Sequence, residues 1–73
     1  ALDSTFADAW ASRAYAYFLF GTQGYGSITE FWAKAEKNAL TAIRLDPQNG
    51  MAYAVLASLY RGRNQWEQAL TTY

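Results

Sequence analysis

Six carboxylates and one glycine-rich loop are the parts of this sequence whose chemistry could go beyond packing. The carboxylates are Asp3, Asp8, Glu30, Glu36, Asp46 and Glu67. General acid–base work needs two such groups in one pocket. Their positions instead put them at helix starts, helix ends and solvent faces. Asp8 falls in a first helical turn and Asp46 at a helix end, where capping and the helix dipole account for both. The loop GTQGYG, Gly21 to Gly26, could cradle a phosphate only if Gly-Lys-Ser/Thr led into the next helix, and no lysine comes before Lys34. It reads as an extended connection between helices. The chain holds no cysteine and no histidine. A zinc site, a Cys–His nucleophile pair, a Ser–His–Asp triad and a disulfide are therefore impossible within it. No catalytic residue, metal ligand or cofactor site is expected, and the chain is not expected to be an enzyme.

What remains are elements that pack and bind. At 73 residues the chain is at most one small domain, a size that buries too little surface to be comfortable without neighbours. Its net charge is zero and its six basic residues are scattered, which argues against nucleic acid as a partner. The longest apolar run, Ala14 to Phe20, is far shorter than the roughly 20 residues a membrane span needs. The opening ALDSTF lacks the basic start of a secretory leader, so no membrane partner is expected and the cytoplasm is favoured. AWASRA leads into the apolar run without a turn signal. Both belong to one helix, covered on most of its sides.

The chain also repeats itself. Leu2-Asp3 recurs as Leu45-Asp46, 43 residues on, and the same offset carries Ala9, Ala11, Ala14 and Tyr17 onto Ala52, Ala54, Ala57 and Tyr60. Trp10 maps onto Tyr53, and Gly21 onto Asn64, two residue types that end helices in the left-handed conformation. Further along, Trp32 and Ala35 map onto Trp66 and Ala69 at an offset of 34. The unit is therefore 34 residues, with nine extra in the first copy at about residues 22–30.

Four helices follow, the last cut short. The first runs from about Thr5 to Phe20, opened by Ser4 or Thr5. The second runs from about Thr29 to Leu45, opened by the capping box Ser27-x-x-Glu30 and supported by a Glu30–Lys34 pair. Asp46-Pro47 stops it and Asn49 caps the third, Gly50 to about Arg61. A turn at Gly62 to Asn64 precedes a fourth that starts near Gln65. The expected organisation is 1–4 as the end of an earlier repeat, 5–47 as a first repeat with the loop 22–30 inserted, and 48–73 as part of a second.

A 34-residue helix–turn–helix unit with these residues resembles the tetratricopeptide repeat. The second copy carries the pattern in Tyr53, Leu56-Ala57, Tyr60, Asn64, Trp66, Ala69 and Tyr73, and the first in Trp10, Ala14, Tyr17, Gly21, Trp32, Ala35, Ala42 and Leu45-Asp46-Pro47. Arg13, Ala39 and Ser4 depart from it. The longer-looped Sel1-like repeat is the nearest alternative. The resemblance implies an all-α solenoid fragment in which the small residues Ala14, Ala35, Ala57 and Ala69 let helices approach, and Trp10, Tyr17, Tyr53 and Tyr60 fill the space between them. It implies a protein- or peptide-binding module of a larger, bacterial regulatory protein. The alternative is a spacer or dimerisation arm beside a catalytic or DNA-binding domain, such as a nucleotide cyclase or transcription regulator. Exposed Trp66, Leu70 and Tyr73 would let the isolated chain self-associate.

The resemblance also implies where a partner lies. First helices line the concave face, through Asp8, Ala11, Tyr15, Phe18 and Leu19 in copy one and Met51, Ala54, Ser58, Arg61 and Gly62 in copy two. Ala11, Tyr15 and Val55 stand where chaperone-binding members use Lys and Asn, so no carboxylate clamp is expected. The expected ligand is an apolar helix or segment on Tyr15, Phe18, Leu19 and Met51, with Arg61 meeting an acidic group at the edge.

Overall fold

The computed structural model describes residues 4–72, with the side chains of 5–65 and Glu67. Three helices follow one another: α1 (Ser4–Thr22), α2 (Ile28–Leu45) and α3 (Gly50–Thr72). The first two form a hairpin, and α3 packs against both. Among the described residues no helix is long and apolar enough to cross a membrane.

Alanine sets the packing distance. Ala7, Ala11 and Ala14 on α1 and Ala35, Ala39 and Ala42 on α2 are fully buried. Their three- and four-residue spacing places each set on one helix face, and so small a side chain lets the axes close up. From α3 come Ala52, Val55, Leu56 and Leu59. Among the described residues, Trp32 is the one buried ring of this core. It fits because two glycines make room. A Cβ on Gly21 would stand 2.8 Å from the Trp32 ring, and one on Gly62 only 2.3 Å from it. The indole is thus held between α1 and α3. Its N–H donates to the Phe18 carbonyl and the Thr22 hydroxyl, each at 3.3 Å.

The end of α1 is closed by a complete Schellman motif. Gly24 takes φ +83°, the left-handed position where glycine is favoured. The Tyr25 N–H reaches the Phe20 carbonyl at 3.1 Å, and the Gly24 N–H the Gly21 carbonyl at 3.3 Å. These are the two bonds, and Phe20 against Tyr25 at 5.8 Å the apolar contact, that define the motif. Ser27 then caps α2, accepting from the Glu30 N–H at 3.2 Å. At the far end, the Asp46 N–H donates to the Ala42 carbonyl at 2.8 Å. Asn49 caps α3 through its side-chain oxygen Oδ1, which accepts from the Ala52 N–H at 3.0 Å.

Several local expectations change. The helix α1 already includes Ser4 and Thr5, so Thr5 is not its cap. Gly21 is helical, and the left-handed residue is Gly24. The extra residues are not all loop: Thr22 lies in α1, 28–30 lie in α2, and Ile28 packs on the core. Lys34 does not turn to Glu30. Its ammonium lies 5.6 Å from the Tyr17 ring and 5.9 Å from the Phe31 ring. No turn interrupts α3 at Gly62–Asn64. Gly or Asn inside a helix costs about 1 kcal/mol or less, so neither Gly62 nor Asn64 has to end it. Tyr53 (49% exposed) and Tyr60 (59%) therefore face solvent with Ala57 rather than filling an interhelical gap. The expectations on Leu2-Asp3 and on the side chains of Trp66, Ala69, Leu70 and Tyr73 lie outside the described residues.

Candidate functional site

The face where α1 runs beside α3 is a groove. Its narrow end is a cavity of about 140 Å³ between Tyr15 of α1 and Met51, Ala54, Val55 and Ser58 of α3. Tyr15 and Met51 are half-exposed, at 49% and 48%, and the Ser12 hydroxyl reaches the Met51 sulfur at 3.9 Å across the interface. The wide end is a cavity of about 410 Å³. Phe18 and Thr22 form one wall, Ile28 and Trp32 the back, and Ser58, Arg61, Gly62 and Gln65 the other wall. Ser58 borders both cavities, so they are two parts of one groove.

The geometry sorts the expected groove residues. Tyr15, Phe18, Met51, Ala54, Ser58, Arg61 and Gly62 border one or both cavities. Ala11 is fully buried and borders neither cavity. Leu19 is half-buried and borders neither cavity. Asp8 is engaged elsewhere: its carboxylate accepts from the Asn49 side-chain N–H at 2.8 Å. That bond ties the α2–α3 link to α1. Phe18 is not a free ring, since it stacks on Trp32 at 5.6 Å with an interplanar angle of 21°.

Thr22, Ile28, Trp32 and Gln65 border the groove without having been expected there. The signal that points to Trp32 is a glycine inside a helical pattern, which marks a close approach as readily as a helix end. Gly21 and Gly62 are that kind of glycine.

Among the described residues, one charged side chain lines these two cavities. Arg13 lies over the Trp10 ring at 5.4 Å, Lys34 over two rings, and Arg63 pairs with Glu36 at 3.1 Å. Arg61 is exposed on the wide cavity and has no hydrogen-bond or ion-pair partner among the described residues. Among the described residues, no acidic side chain lines either cavity. The two cavities thus offer apolar area, a few neutral polar groups and, among the described residues, one available cation. Among the described residues, no three His, Cys, Asp or Glu side chains stand together to hold a metal ion.

Residues 38–71 match the tetratricopeptide repeat family. The match starts inside α2, crosses the Leu45-Asp46-Pro47 link and follows α3 almost to its end. No curated protein and no solved structure matches the chain.

Proposed function

We propose that this chain, which carries a tetratricopeptide repeat over residues 38–71, binds an apolar segment of a protein partner in the groove between α1 and α3. Such repeats are protein-interaction modules, and the groove has the right chemistry for that work. The observation that carries the proposal is the half-exposure of Tyr15 and Met51 at the narrow end of the groove, with Arg61 at the wide end lacking a partner among the described residues. Aromatic and arginine side chains supply most interface hot spots, each costing about 2 kcal/mol or more on truncation.

The experiment is site-specific photocrosslinking in the organism that makes the protein. A crosslinking amino acid at position 15 or 51 is expected to trap a protein that the same group at Leu40, exposed on α2, does not. Tyr15→Ala is expected to abolish that partner's binding while helicity by circular dichroism stays unchanged. Trapping from Leu40 alone, or binding untouched by Tyr15→Ala, would overturn the groove.

A second role is favoured by a separate observation. Tyr53 and Tyr60 lie two turns apart on the outer face of α3 and are both exposed. They would serve a dimerisation arm, which needs apolar area of this kind away from the groove.

A further inference from the structure

We infer, building on the proposed groove, that its partner is an amphipathic helix with two apolar anchors seven residues apart, the larger one flanked by an acidic side chain. The wall that α3 gives the narrow cavity is Met51, Ala54, Val55 and Ser58. The wall it gives the wide cavity is Ser58, Arg61, Gly62 and Gln65. The second set is the first moved along by seven residues, member for member. On α1 the same step carries Tyr15 to Thr22. Seven residues are two helical turns, about 10.5 Å. A helix laid alongside α3 at a shallow angle meets these cavities with side chains at i and i+7, which lie on one of its faces.

The two cavities differ in size and chemistry. The narrow one, at about 140 Å³, suits an aliphatic side chain. The wide one, at about 410 Å³, accepts an aromatic ring against Phe18 and Trp32. Arg61 borders only the wide cavity, so the acid belongs one turn from the aromatic anchor. An extended peptide fits less well. Its backbone N–H and C=O groups would cross the narrow end, where, among the described residues, Ser58 is the only neutral hydrogen-bonding side chain besides the Tyr15 hydroxyl. Unpaired backbone groups there are costly, whereas a helix satisfies its own.

The probes are fluorescein-labelled Ala-rich 18-residue peptides, with affinity read by anisotropy against the full chain. The first carries Leu and Trp seven apart with Glu one turn from the Trp. The second spaces the same Leu and Trp five apart, on different helix faces. The third replaces the Glu by Lys. The fourth is held extended by prolines, with Leu and Trp three apart. The first is expected to bind at least tenfold tighter than the other three. Arg61→Glu is expected to reverse the preference between Glu and Lys peptides, because Arg61 is exposed and its replacement leaves the fold intact. Equal affinity for the first two peptides, or tighter binding of the extended one, overturns the spaced helix. So does the absence of peptide binding in a chain whose Tyr15→Ala variant still loses the crosslinked partner, and in that case the groove itself stands. If Tyr15→Ala leaves the crosslinked partner bound, the groove falls and the helix with it.

Discussion

The α1–α2 hairpin and the outer half of α3 are built from the same repeat positions and come out differently. In the hairpin, Tyr17 is half-buried, with the Phe31 ring 6.0 Å away and the Lys34 ammonium above it. Its counterpart Tyr60 stands 59% exposed. Ala14 is fully buried, and its counterpart Ala57 is exposed. The side chains are the same or nearly so; the neighbour differs. After Thr22 the chain reverses through Gly24 at φ +83° and brings Phe31 back over Tyr17. After Tyr60 the helix continues through Gly62, Arg63 and Asn64, and nothing returns over the ring among the described residues. A repeat position is buried when a second helix folds back on it, and what makes it fold back is the closing motif rather than the pattern of aromatics and alanines.

The largest effect expected from breaking this difference is on the hairpin side. Trp32→Ala removes the buried core ring, its stack with Phe18 and its two hydrogen bonds. Truncating a buried Trp costs about 3–5 kcal/mol, a large part of the stability available to so small a domain. The variant is expected to lose most of its helical signal at 25 °C, read by circular dichroism. A cooperative transition close to that of the parent chain would show that the alanine contacts alone hold α1 to α2.

Gly62→Ala is the next in size, and it asks which half of α3 belongs with the hairpin. The added methyl would meet the Trp32 ring at 2.3 Å. Overpacking of that kind costs about 1–3 kcal/mol, set against a helix-propensity gain of about 1 kcal/mol. Gly50→Ala is the control, since a Cβ there meets nothing within 4 Å. A lower melting temperature for Gly62→Ala beside an unchanged or higher one for Gly50→Ala is expected. If both variants rise together, Gly62 is not packed on Trp32 and α3 leaves the hairpin before residue 62.

The features legible in the sequence are those set by neighbours a few residues apart. Ser27 with Glu30, and Asn49 before Ala52, are caps whose donor and acceptor lie three positions from each other. The α2 helix follows from them. Long-range features carried no such mark. Asp8 reads as a first-turn acid, yet it holds the Asn49 side chain, 41 residues away. Gly21 and Gly62 read as helix ends because glycine has two uses, left-handed turns and close approach, and only the position of Trp32 decides between them. Tyr53 and Tyr60 fit a packing pattern whose second helix must be present for the pattern to hold. The groove was legible in part for the same reason. Tyr15, Phe18, Met51 and Arg61 follow from the repeat positions that the family resemblance assigns to the concave face, whereas Thr22, Ile28 and Gln65 join it only once three helices meet.

The smallest expected effect on stability sharpens the comparison from the other side. Tyr53→Gln and Tyr60→Gln replace rings on the outer face of α3. Tyr53 keeps one bond there, its hydroxyl donating to the Pro47 carbonyl at 3.0 Å, and a solvent-accessible bond of that kind contributes about 1 kcal/mol at most. Surface substitutions otherwise stay within about 0.5 kcal/mol. The Tyr60 variant is therefore expected to melt with the parent chain, and the Tyr53 variant slightly below it. Both are measured at micromolar concentration, where a monomer is the reference. If Tyr60→Gln instead destabilises by more than about 1 kcal/mol, the ring is covered in solution. Sedimentation then says by what. A concentration-dependent mass that Tyr60→Gln abolishes places a second copy on this face and favours the dimerisation arm. A monomer at every concentration means that α3 bends at Gly62–Asn64 and lays its own end over Tyr60, as the hairpin lays Phe31 over Tyr17.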